Sequence, residues 1–130
     1  MDIKVADGYL YTKEHEWAKI DGTKAKIGIS DFAQHKLGDI TYVELPAAGK
    51  KLKQSEVMSG IESVKAATDI YAPLSGKVTA VNNDLENAPE LINQSPYENG
   101  WIAEIEISDL GETKKLIDSK AYKIYADALE

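Results

Sequence analysis

The chain has 130 residues, 43% of them hydrophobic, with a formal net charge of −7, fifteen lysines, no arginine and no cysteine. That length and apolar content suit one domain with its own core. An acidic chain without guanidinium groups is a poor partner for nucleic acid, and a chain without thiols has no disulfide framework, Cys-ligated zinc or thiol catalysis.

The opening "MDIKVADGYLYTKEHEW" has no basic stretch followed by an apolar one, and no apolar run reaches membrane-spanning length. A cytoplasmic protein with no membrane contact is expected. "HEWAKIDGTKAKIGIS" reads as two strands joined at Asp21-Gly22, a strong hairpin signal. In the second strand Ala25, Ile27 and Ile29 alternate with Lys24, Lys26 and Gly28. Ser30 is placed to cap a short helix, "DFAQHKL", closed by Gly38, with Phe32 and Leu37 turned to the core. Strands follow in "DITYVELP", "VMSGIESV", "DIYAP" and "KVTAV", with turns at Gly49 and at Pro73 to Gly76. The polar run from Asn82 to Gly100 holds two prolines and a helical turn around Glu90 to Ile92. In "WIAEIEI", Trp101, Ala103, Ile105 and Ile107 alternate with Ile102, Glu104 and Glu106. The tail is helical and broken near Asp118, with Ala121, Tyr125 and Ala128 at helical spacing. Many short strands with few helices imply a small barrel or sandwich. A strand, a connection and a strand lie on each side of Lys65, without sequence identity between the halves.

Several chemistries lack their residues. His15 and His35 do not form H-E-x-x-H, and no second cluster completes a metal-ligand set. The two Gly-Lys pairs lack the rest of a phosphate-binding loop, and no serine sits in a G-x-S-x-G elbow. No two carboxylates stand out as acid and base.

Lys65 is the anomaly. It occupies a turn between two strands, where Gly, Asn or Asp would be ordinary, and is flanked by Val64 and Ala66. "ESVKAATDIYAPLSGKV" resembles the attachment hairpin of lipoyl-bearing domains, in which the turn lysine carries lipoic acid as an amide. A biotin carrier would have methionines at the flanking positions. "YTKEHEWAKID", "IGISDFAQHKLGDITYVELPAAG", "PELINQSPYENGW" and the helical tail are similar, in order and spacing, to the H-protein family of the glycine cleavage system, from about Tyr9 to Leu129.

That resemblance implies a mainly β, hybrid barrel-sandwich fold with a short inserted helix and C-terminal helices. It implies one domain over 1–130, with the attachment hairpin at about 57–78 and the helical tail at about 109–129. It further implies a carrier, not an enzyme, with lipoic acid covalently bound to Lys65. The expected partners are a pyridoxal-phosphate-dependent decarboxylase (P protein), a folate-dependent aminomethyltransferase (T protein), a dihydrolipoamide dehydrogenase (L protein) and lipoate-attaching enzymes. An alternative role is a lipoyl relay to 2-oxoacid dehydrogenases. Glu14, His35 and Asp69 are the polar residues expected to line a cleft for the loaded arm. A nucleophilic role for Lys65 would need a desolvated amine, which a hairpin tip does not offer.

Overall fold

Alternation with a period of two sets this chain into short strands whose apolar faces close on one another. The computed structural model describes residues 2–129. In chain order the elements are β1 (Leu10–Tyr11), β2 (Glu16–Asp21), β3 (Lys24–Ile29), α1 (Asp31–Leu37), β4 (Ile40–Glu44), β5 (Lys51–Leu52), β6 (Val57–Ser63), β7 (Ala67–Tyr71) and β8 (Gly76–Val81). Then come α2 (Asp84–Asn87), α3 (Leu91–Gln94), β9 (Ala103–Ile107), a 3₁₀ segment (Leu110–Lys115), β10 (Ile117–Asp118) and α4 (Ser119–Ala128). A seven-stranded sheet runs β10-β1-β2-β3-β9-β8-β5, and a three-stranded sheet runs β4-β6-β7. The fold is therefore mainly β, built as two sheets without a closed barrel.

The inward residues of both sheets share one core. Ile27 of β3, Ile105 of β9 and Val78 of β8 join Val43 of β4, Ile61 of β6 and Ile70 of β7. Burying each such side chain contributes about 1.5–3 kcal/mol. The opposite face of β1 and β2 carries a second, aromatic cluster that includes Tyr11, Trp17, Phe32 and Tyr122. Tyr11 stacks on Tyr122 with centroids 4.3 Å apart, and the Trp17 indole N–H donates to the carbonyls of Ile29 at 2.9 Å and Pro96 at 3.0 Å. This cluster fastens the N-terminal segment and α4 to the sheet.

Ser30 caps α1 as expected: its Oγ accepts the Ala33 amide at 3.2 Å, and Gly38 ends the helix at φ 75°. Other readings need correction. The β2–β3 loop is Gly22-Thr23, because Asp21 still pairs with Lys24. The segment 57–78 is not one hairpin: β6 pairs with β7, and β8 then pairs with β9 and β5 in the other sheet. Ile102 is fully buried despite its outward parity, because β9 begins only at Ala103. On α4 the buried residues are Tyr122 and Ala126, while Ala121 and Ala128 are exposed. The polar run holds α2 as well as the helical turn expected near Glu90.

Candidate functional site

The Lys65 turn solves locally the problem that a glycine would otherwise solve. β6 and β7 close at the pair Glu62–Ala67, and the Ser63 amide donates to the Ala66 carbonyl at 2.8 Å. The Ser63 hydroxyl oxygen accepts the amides of Lys65 at 3.2 Å and Ala66 at 3.1 Å. A serine side chain thus satisfies the turn's amides without a left-handed residue. The Val64 amide donates to the Asp39 carbonyl at 3.0 Å, tying the tip to the end of α1. Gly38 packs beneath the turn at φ 75°, a conformation that favours glycine, and a methyl group there would meet Lys65 Cε at 3.4 Å and a Val64 methyl at 3.6 Å, ordinary contact distances.

Asn93 of α3 clamps the platform beneath. Its amide nitrogen donates to the Gly38 carbonyl and to Gln34 Oε1, both at 2.9 Å, and its oxygen accepts the Ile40 amide at 3.0 Å. Above this platform Val64, Lys65 and Ala66 are exposed. The amine is free to be modified while its Cα is held.

A groove of about 440 Å³ opens between β7 and α1. Thr68 to Tyr71 form one wall, Phe32, Ala33, Lys36 and Leu37 the other, and Glu14, His15 and Glu16 close the far end. Among the expected cleft residues, Glu14 and Asp69 stand here together. His35 does not line the groove; one helical step from Lys36, its Nε2 lies 3.6 Å from Asp31 Oδ2. A second groove, of about 650 Å³, shares Glu14, Glu16 and Tyr71 and continues past Gln54 and Pro73 to Lys115.

Glu16 is the site residue that the sequence reading missed. Only 2% of it is exposed. Its carboxylate accepts the Thr12 hydroxyl and, at 3.2 Å, the Tyr71 amide. Burial pushes its carboxyl above the ordinary glutamate range, and these two hydrogen bonds oppose that shift. The available signal was parity: Glu16 and Ala18 share one face of β2, and Trp17 has the other. His15 is held at φ 76°, in the left-handed region, with its ring centroid 4.5 Å from that of Phe32. Burial lowers its pKa, with the Glu14 charge acting in the opposite sense.

Comparison with known proteins agrees with this geometry. A family model described as "Glycine cleavage H-protein" matches residues 9–128. A glycine cleavage system H protein of Coprothermobacter proteolyticus is 50% identical over 122 residues, covering 93% of this chain and 96% of that one. One from Endomicrobium trichonymphae is 53% identical over 121 residues, covering 93% and 98%. The crystal structure of a glycine cleavage system H protein from Mycobacterium marinum superposes with a TM-score of 0.84 at 29% identity, over 95% of this chain and 98% of that one. With a family model over residues 9–128, a matched fold and half of its residues shared along nearly its whole length, the chain belongs to the glycine cleavage H-protein family.

Proposed function

We propose that this chain carries lipoic acid as an amide on Lys65 and seats the loaded arm in the groove beside β7. The observation that carries this reading is an exposed lysine on a braced turn at the mouth of a carboxylate-lined groove. Acylation forms an amide on Nζ and removes one positive charge, taking the formal net charge from −7 to −8. The extended arm reaches on the order of 14 Å. Thr68 to Tyr71 lie three to six residues beyond Lys65, on the order of 10–20 Å along the strand. The groove residues therefore fit the group. When bound, the dithiolane supplies the reducible disulfide that takes up the aminomethyl group derived from glycine.

The chain's own residues supply position and charge. The platform of Gly38 and Asn93 fixes the arm's origin. Glu14, Glu16 and Asp69 face the groove with Lys36 opposite them, so a cationic amine at the far end meets an excess of negative charge. The protein is a lipoyl carrier of glycine cleavage and leaves bond chemistry to its partners: the pyridoxal-phosphate-dependent decarboxylase, the folate-dependent aminomethyltransferase and the dihydrolipoamide dehydrogenase. Tethering gives those catalysts a high effective concentration of cargo.

Glycine–bicarbonate exchange with purified decarboxylase tests the assignment. The lipoylated chain should support exchange. Lys65→Arg should not, while keeping its stability within about 0.5 kcal/mol because the side chain is exposed. Equal exchange from Lys65→Arg would overturn it.

A further inference from the structure

Two buried hydroxyls, of Ser30 and Tyr122, and the half-buried His15 imidazole run from the cap of α1 to the wall of the groove. Ser30 Oγ lies 2.7 Å from the Tyr122 hydroxyl, and that hydroxyl lies 2.8 Å from His15 Nδ1. Ser30 and Tyr122 are both wholly buried, so water does not complete the set. Counting protons fixes its direction. Ser30 Oγ already accepts the Ala33 amide, and the Tyr122 oxygen is the acceptor available to the Ser30 proton among the described residues. Tyr122 must then give its own proton to His15 Nδ1. The reverse order would leave the buried Ser30 proton without an acceptor.

We infer that Tyr122, on the C-terminal helix, fixes His15 as the neutral imidazole with its proton on Nε2. His15 becomes a positioning residue for the arm groove, which it lines. With Nδ1 committed to Tyr122, the remaining nitrogen is an uncharged donor for an acceptor at the far end of the arm, a thioether sulfur. The charges around it are Glu14 and Glu16 on its own segment, Lys36 on α1 and Asp69 on β7, with Tyr125 of α4 against its ring. A neutral His15 leaves the exposed carboxylates of Glu14 and Asp69 free for a cationic cargo. A protonated one would compete for them and break the hydroxyl order back to Ser30. The C-terminal helix is thereby coupled to cargo retention, a role that rests on the lipoyl reading. The tautomer itself does not.

Nitrogen-15 labelling of the two histidines in the unmodified chain tests the inference, with the half-exposed His35 as internal reference. At neutral pH, His15 should show an unprotonated shift at Nδ1 and a protonated shift at Nε2. Tyr122→Phe keeps the stacked ring and removes the hydroxyl. It should give mixed tautomers and move the His15 midpoint up toward the ordinary value of about 6.5. In the lipoylated, loaded protein the same variant should release ammonia at least severalfold faster. A native His15 protonated on Nδ1, or a native pair of shifts averaged between the two tautomers, would overturn the inference whatever Lys65 carries. A normal tautomer with unaltered ammonia release in Tyr122→Phe would overturn the coupling to cargo.

Discussion

Two adjacent residues, His15 and Glu16, carry opposite linkages to pH. The folded pKa of His15 lies below its ordinary value, so its contribution to stability is present above about pH 6.5 and is lost as pH falls through the folded value. The folded pKa of Glu16 lies above its ordinary value, so its contribution is present below about pH 4.3 and is lost as pH rises through the folded value. Burial therefore makes ionising Glu16 costly to the fold, and its place in the groove wall sets that cost against a role there. Glu16→Gln should raise the melting temperature at pH 7 by a few degrees and flatten its dependence between about pH 4 and 7. The glutamine oxygen can still accept the Tyr71 amide, while the Thr12 hydroxyl, whose oxygen already takes the Glu14 and Glu16 amides, turns its proton to another acceptor. Thermal unfolding across that range checks this, and a drop of several degrees at pH 7 would mean that the carboxylate is structural.

Elements of two to seven residues hold the Lys65 turn because polar side chains lock them together. Asn93 reaches from α3 to α1 and β4 with three hydrogen bonds. Asn93→Ala leaves the Ile40 amide and the Gly38 carbonyl without these partners and should cost about 1–3 kcal/mol. Urea unfolding measures the loss, and amide exchange at Val64 should quicken with it, since the Val64 bond to Asp39 depends on the same platform. A loss below 0.5 kcal/mol by the same urea measurement would show that water replaces the clamp at little cost. Much of this element level was legible in the sequence. The Ser30 cap, the Gly38 stop and the β6–β7 hairpin are local, since capping atoms lie within four residues of each other. Strands β1 and β10 were not, because a two-residue strand has no period and exists through pairing of Leu10 with Asp118 across the chain. The α4 face was misread by one residue because Ala121 and Ala128 are too small to report burial, whereas Tyr122 finds Tyr11 only in three dimensions. Glu14 and Asp69 were recognisable beside the groove, but Glu16 was hidden because burial of a carboxylate depends on Tyr71, distant in sequence.

Taken whole, the molecule is an acidic body with its lysine arm at one end of a small sheet. Tyr42, Glu44, Glu62 and Asp69 line a shallow groove of about 310 Å³ on the outer face of that sheet. Tyr42 is 54% exposed there. Glu44→Gln with Glu62→Gln spares the arm groove and should slow association with the decarboxylase severalfold at low salt, with less effect at high salt. Stopped-flow binding across ionic strength measures this, and salt-independent rates would place docking on another face. One lysine among fifteen is proposed to carry the cofactor. Intact mass and peptide mapping of the protein made in a lipoate-supplied host test it most directly. A single lipoyl adduct is expected, on Lys65, and it disappears in Lys65→Arg. An adduct on Lys50, Lys51 or Lys77, or one that persists in the variant, would contradict it.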